Sequence, residues 1–314
     1  YAFYGTQSIK SVTFAADSKL ETIEKYTFAD ATALETLLLP DSVKSIGVNA
    51  FSHCESLTAL AMPANVVKVG DYAFEYTGLK YLDVSNVTNF GKSVFRYSEN
   101  LETVTLNAKL SKITSGMFFG CTGLNKLDIP STVVMFESDS FVSTALTTLD
   151  IPANVVSIGV NAFSGMDSLQ SFNVDPSNPA YYTEDDCLYT AQNVLLGVPA
   201  GKAFVNDTFV VPEGKTIAAY VFNGCSNIKV LDLSKVEMDV LPNYAFTHFH
   251  SAEKIILPEI LTEIGTYAFR NCGALKEVAI PDSVVKIGNY AFQNCTSLET
   301  FTVKYVEERE LGSY

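Results

Sequence analysis

Tryptophan is absent from this chain of 314 residues, and histidine occurs only three times, as His53, His248 and His250. There is no Cys-x-x-Cys pair among the six cysteines, so the ligand spacings of zinc and redox centres are missing. His248-x-His250 has no third ligand at a suggestive spacing, and the histidines read as packed or solvated turn residues; no metal site is expected. No apolar run reaches the roughly 18 residues a membrane span needs, which excludes membrane insertion by this segment. Cations are scarce: 21 Lys plus Arg stand against 35 Asp plus Glu, a net charge of −14. Clustered Lys and Arg bind phosphate backbones, so nucleic acid is excluded as a general partner. The excess of acid keeps a sheet-rich protein soluble. G-x-S-x-G, H-E-x-x-H, P-loop and G-x-G-x-x-G motifs are all lacking, so no cofactor and no enzyme activity are expected.

What is present is phenylalanine, 21 residues of it. Twelve serve as anchors: Phe3, Phe28, Phe51, Phe74, Phe95, Phe118, Phe141, Phe163, Phe222, Phe246, Phe269 and Phe292. Ten of the eleven intervals between them are 21 to 25 residues, and the other, Phe163 to Phe222, is 59. A constant period broken once marks a stacked-repeat protein with an insertion. Five or six residues after each anchor comes Leu or Ile, with Ala252 the one exception. An apolar-variable-apolar segment follows, as in Leu127-Asp128-Ile129, and Pro often closes it. A second apolar pair and a Gly four residues before the next Phe complete the coil.

Alternation of apolar and variable residues is the period of a strand with one buried face, and strands recurring at one point of every coil pair in parallel. Pro has no N–H for the ladder and marks where a strand stops. Gly is expected to turn a tight corner. Phe and Cys three apart in Ala-Phe-x-x-Cys are expected on one side of a short helical turn. One coil buries six or seven apolar side chains at about 1.5–3 kcal/mol each. Ordering its backbone costs about 1–2 kcal/mol per residue, so a lone coil is unstable and neighbours must share the burial.

The L-x-x-L-x-L pattern, with Pro and Val-x-x-Ile-Gly-x-x-Ala-Phe-x-x-Cys following it, as in residues 280 to 295, resembles the BspA-like group of surface leucine-rich-repeat proteins. The resemblance covers residues 1 to about 303. It implies an α/β repeat solenoid, a leucine-rich-repeat superhelix. A parallel β-sheet of about 13 short strands would line the concave face, with short helical turns opposite. It also implies a cell-surface or secreted location and a role in adhesion.

The solenoid is expected over residues 1–304, with a β-hairpin insertion at about 175–205 and a short charged tail at 305–314. Asp175-Pro-Ser-Asn-Pro179 is dense in turn formers. Cys187–Thr190 and Val194–Val198 flank Ala191-Gln-Asn193 as a hairpin, which either braces the coil or protrudes to bind. Relatives commonly carry Asp-Gly before the first hairpin strand, where this chain has Asp186-Cys187. Neither end looks capped, and further sequence is expected to adjoin. Five cysteines (Cys54, Cys121, Cys225, Cys272 and Cys295) share one slot three residues after an anchor Phe and read as small buried hydrophobes.

The outward slots of the strands are the remaining candidates for function. The central ones include Asp83, Thr105, Asp128, Asp150, Asn173 and Asp232, flanked by Tyr81 and Lys126. This strip is either ordinary solvated surface or a binding strip for a basic or polar segment, with a cation such as calcium between the close neighbours Asp128 and Asp150. The expected function is a non-enzymatic surface or secreted interaction protein, an adhesin, binding a protein or glycan partner. The alternative is a passive spacer in a larger surface protein.

Overall fold

A computed structural model describes residues 1–302 and 310–313. The chain forms two compact units. One contains Tyr1–Phe163 with Val174–Asn178, and the other contains Ser164–Asn173 with the chain from Pro179 onward. Each is a β-solenoid of stacked coils, and each coil has three sides.

The first side is the apolar-variable-apolar segment. In the first unit Tyr81–Asp83 pairs in parallel with Thr103–Thr105. In the second unit Thr208–Val210, Val230–Asp232, Lys254–Ile256, Glu277–Ala279 and Thr300–Thr302 form one parallel sheet of five strands. Burial alternates as the pattern requires: Leu82 is buried while Tyr81 and Asp83 are exposed. The Pro that ends this segment starts a turn, its carbonyl accepting from the N–H three residues on, as in Val66 to Pro63 at 3.0 Å and Val284 to Pro281 at 3.1 Å.

The second side is a ladder of its own, built on the second apolar pair. Thr22–Ile23, Ser45–Ile46, Lys68–Val69 and Asn89–Phe90 form a four-stranded parallel sheet in the first unit. Val240–Leu241, Glu263–Ile264, Lys286–Ile287 and Glu310–Leu311 do so in the second. Of the expected charged tail, residues 305–309 and 314 lie outside the described residues, while Glu310–Leu311 adds a strand to this ladder.

The third side carries the phenylalanines, and here the expectation of helical turns is corrected. Among the described residues the only helical stretch is a single 3-10 turn at Val205–Asp207. The reason lies in the backbone around each anchor. Tyr26 and Asp30 flank Phe28 with φ of 57° and 59°, and Tyr244 and His248 flank Phe246 with φ of 60° and 59°. A left-handed residue every fourth position is incompatible with a right-handed helix. The N–H groups divide their partners by turns. Tyr244, Phe246 and His248 donate to the next coil, to Thr266, Ala268 and Arg270, at 2.7–3.0 Å. Between them Ala245, Thr247 and Phe249 close local turns onto carbonyls three residues back. Every donor is satisfied without an i−4 bond.

The anchor rings stack from coil to coil. Phe28–Phe51 and Phe51–Phe74 have centroids 5.4 Å apart, and Phe74–Phe95 and Phe95–Phe118 lie at 5.8 and 5.7 Å. All five rings are fully buried.

The role expected for the repeated glycine also changes. Gly47, Gly70 and Gly265 are not among the positive-φ residues. A Cβ on Gly47 would lie 2.6 Å from Lys25 N, and one on Gly70 2.7 Å from Val48 N. Glycine is required there because successive coils approach backbone to backbone.

The insertion in the second unit is a three-stranded meander. Tyr181–Glu184 pairs antiparallel with Cys187–Thr190, which pairs antiparallel with Val194–Gly197. Val194–Gly197 then joins Thr216–Ile217 in parallel. The first turn is Asp185-Asp186, both with positive φ (49° and 64°), so Asp186 occupies the place where Asp-Gly would put its glycine. Lys202 steadies it, its ammonium 2.7 Å from the Asp186 carboxylate and 2.8 Å from the Asp185 carbonyl.

Candidate interaction surface

In the first unit the register aligns Tyr81 with Thr103 and Asp83 with Thr105, and a single bridge continues the row from Thr103 to Lys126. Tyr81, Asp83, Thr105, Lys126, Asp128 and Asp150 are all exposed. Backbone pairing sets the spacing of Tyr81, Asp83, Thr105 and Lys126, while Asp128 lies just past that bridge and Asp150 on the strand Thr148–Ile151. Thr103, Thr105, Lys126 and Asp128 border a shallow hollow of about 240 Å3, floored by Val104 and Leu106. One cation, one anion and two hydroxyls converge there. Asp128 and Asp150 belong to successive coils, whose anchors Phe118 and Phe141 stack at 6.2 Å. Nearer the start of the chain Leu38 is 70% exposed.

Some of these carboxylates also have local work. Asp83 Oδ1 accepts the Ser85 N–H at 2.9 Å, and Asp232 Oδ1 accepts the Ser234 N–H at 2.8 Å. Both are Asx turns that end a strand.

Asn173 and Asp232 lie in the second unit. Asn173 is exposed, whereas Asp232 is half-buried between Val210 and Ile256 in register. The acidic character therefore fades there, and the outward rim is charge-paired instead. Lys229 meets Asp207 at 2.8 Å, Lys276 meets Glu253 at 2.5 Å and Lys254 meets Glu277 at 3.0 Å. The hydrogen bond from Lys276 holds the Glu253 carboxyl below its usual range. These are exposed pairs and contribute little to stability.

A second hollow, of about 450 Å3, includes the outward slot of Ile256 in the later coils. Lys254, Ile256, Glu259, Glu277, Ala279 and Thr302 are among the residues that line it.

The cysteine slot is polar in function as well as small. Cys54, Cys121, Cys272 and Cys295 donate S–H to the carbonyl of the preceding coil's anchor, Phe28, Phe95, Phe246 and Phe269, at 3.0–3.1 Å. Ser98 takes the same slot and donates to Phe74 O at 2.6 Å. Burial pushes the thiols of Cys54, Cys187 and Cys225 up to about 12, far from the range of a nucleophile at neutral pH. All six cysteines are free.

His53 and His248 are left-handed turn residues. His53 stacks on Tyr76 at 4.6 Å, and His248 Nε2 lies 2.8 Å from Asn271 Nδ2. Among the described residues no three His, Cys, Asp or Glu side chains converge on a metal position. No helix there is long and apolar enough to cross a membrane.

Comparison with known proteins agrees with this architecture. A leucine-rich cell surface protein from Faecalibacterium prausnitzii A2-165 superposes with a TM-score of 0.76 at 24% identity, over 96% of this chain and 89% of that one. The pneumococcal vaccine antigen PcpA gives a TM-score of 0.67 at 21% identity, over 99% and 77%. A leucine-rich-repeat protein from Bacteroides ovatus ATCC 8483 gives 0.58 at 21% identity, over 99% and 76%. At these identities the likeness is one of fold. No curated protein matches the sequence. The family model for the BspA type leucine rich repeat region, in six copies, matches residues 1–102, 88–195 and 209–312. With its Phe-anchored coils and its two strand ladders, the chain belongs to the BspA-type leucine-rich-repeat family.

Proposed function

We propose that this chain is a non-enzymatic interaction protein of the cell surface or its surroundings, binding a protein or glycan partner through the first strand side of its coils. One observation carries the reading. Tyr81 and Asp83 stand exposed in register with Thr103 and Thr105, a bridge carries the row on to Lys126, and Lys126 and Asp128 set opposite charges on the border of the hollow beside them. A preordered row loses little conformational freedom on binding, and stacked repeats present such rows over long distances. The leucine-rich cell surface protein of Faecalibacterium prausnitzii, similar in fold, supports the location. The Asp128 and Asp150 carboxylates would attract a basic or polar segment, and Tyr81 would supply an aromatic anchor of the kind that dominates interfaces.

The test is binding of the purified chain to an array of extracellular-matrix proteins and glycans, with and without calcium. Saturable binding that falls in the Asp128→Ala/Asp150→Ala variant is expected. Binding unchanged in that variant would overturn the assignment to the acidic pair.

A further inference from the structure

Lys215 lies just ahead of Thr216–Ile217, the strand that receives the meander, and its side chain is only 11% exposed. The ammonium lies beside the stacked rings of Tyr182 and Tyr189, 5.0 and 4.9 Å from their centroids. Nζ is 2.7 Å from the Glu184 carboxylate, 2.7 Å from the Tyr182 hydroxyl and 3.4 Å from the side-chain carbonyl oxygen of Asn193. The Tyr182 hydroxyl also donates to that Asn193 oxygen at 2.6 Å. The sheet enforces the approach: Val194 pairs with Thr216, so Asn193 and Lys215 are lateral neighbours one residue ahead of adjacent parallel strands, and the Asn193 carbonyl accepts the Thr216 N–H at 3.0 Å. An amine, a carboxamide, a carboxylate on the amine and a hydroxyl on the amide oxygen are the parts of a transamidation site.

We propose that Lys215 and Asn193 become joined by an intramolecular isopeptide bond, with Glu184 carrying the proton and Tyr182 polarising the amide. The Lys215 ammonium gives a proton to Glu184, and the neutral Nζ attacks Asn193 Cγ. Tyr182 donates to the oxygen as negative charge develops on it. Glu184 passes protons from Nζ to Nδ2, the Cγ–Nδ2 bond breaks and ammonia leaves. One Cγ–Nζ bond has formed, one Cγ–Nδ2 bond has broken, and nothing is oxidised or reduced. The lysine's positive charge departs as ammonium.

Proximity is the main driving factor, since oriented neighbours react as if at very high concentration. Burial favours the neutral amine, but the hydrogen bonds to Glu184 and Tyr182 outweigh it and keep the Lys215 pKa above its ordinary value. The neutral form is therefore a minor one, and the bond forms slowly after folding. Its consequence is mechanical, a covalent clip holding the meander to the coil behind it.

Intact-mass spectrometry of the purified full chain, followed over days at neutral pH, tests this. The mature protein is expected to fall short of its sequence mass by one ammonia, about 17 Da, with a branched peptide linking residues 193 and 215 after proteolysis. Asn193→Ala, Lys215→Arg and Glu184→Gln are expected to keep the full mass, circular dichroism confirming that each is folded. A folded wild type at full mass throughout overturns the proposal. So does the same mass loss mapped to a linear succinimide within one peptide, or equally fast loss in Glu184→Gln.

Discussion

Phe51 and Phe74, 23 residues apart in sequence, stack in the core with ring centroids 5.4 Å apart and planes within 1° of parallel. Each is fully buried, and each backbone N–H reaches the next coil: Phe51 to Ala73 O at 2.8 Å and Phe74 to Val94 O at 2.9 Å. Ring and backbone thus bind the same pair of coils together. Removing an inner ring opens a cavity against both neighbours, so Phe74→Ala should cost about 3–5 kcal/mol. Phe74→Leu, which keeps most of the volume, should cost clearly less. Urea unfolding monitored by circular dichroism measures both.

Two glycines give a second expectation, in which the same added methyl group has different costs for different reasons. A Cβ at Gly70 would press on the Val48 backbone at 2.7 Å, whereas one at Gly214 meets nothing within 4 Å. Gly70→Ala forces two coils apart and should destabilise by about 1–3 kcal/mol or more, the range of overpacked sites. Gly214 has φ of +74°, so its alanine variant should lose only about 1 kcal/mol from backbone strain. A Gly70→Ala variant as stable as Gly214→Ala would contradict the backbone-contact account.

These contrasts show what the sequence made legible. Period, strand positions and the core columns follow from the spacing of Phe28, Phe51, Phe74 and their companions, because burial repeats wherever the chain returns to the same place. The helical turn was misread because Phe-x-x-Cys spacing was weighed without the residues around it. Positions two before and two after each anchor hold Tyr26 and Asp30, Asn49 and His53, Asn161 and Gly165, Tyr267 and Asn271, all with positive φ. Asn, Asp and Gly there were a readable signal for left-handed backbone. Tyrosine was not, since its tolerance comes from stacking between coils, as in Tyr244–Tyr267 at 5.2 Å and Tyr267–Tyr290 at 5.0 Å. Of the surface, the exposure of Tyr81 and Asp83 on either side of buried Leu82 was legible from alternation. The separation of Asn173 and Asp232 into another unit was not, because unit boundaries depend on where the insertion packs.

Cysteine reactivity should follow burial. Cys54, Cys121, Cys187, Cys225 and Cys272 are buried, and Cys295 is the most open. A thiol reagent added to the native chain should modify Cys295 first and leave the other five protected. All six should react at once in denaturant. Rapid modification of Cys54 or Cys121 in the folded protein would contradict the packing of their slot.

Acid should weaken one inter-coil contact in particular. Burial raises the Glu137 pKa, but the Lys112 ammonium at 2.7 Å and the Ser115 N–H at 2.9 Å outweigh it and leave the carboxyl below its ordinary value. A carboxyl depressed in the folded state adds stability above its unfolded pKa, and that contribution is lost as pH falls through the folded value. Wild type should therefore lose more stability than Glu137→Gln between neutral pH and the acid side of the carboxylate range. Equal losses, measured by urea midpoints across that range, would remove Glu137 from the explanation.

Paired variants in one binding assay decide whether the first strand side of the coils is the binding face. Tyr81→Ala/Lys126→Ala/Asp128→Ala strips that face, while Lys68→Ala/Asn89→Ala changes exposed residues of the second ladder. Both are compared with wild type on the matrix and glycan array. Saturable wild-type binding is expected, weakened at least about tenfold, or 1.4 kcal/mol, by the first set and unchanged by the second. Binding retained by the first set and lost by the second would contradict it, as would a folded wild type that binds nothing on the array.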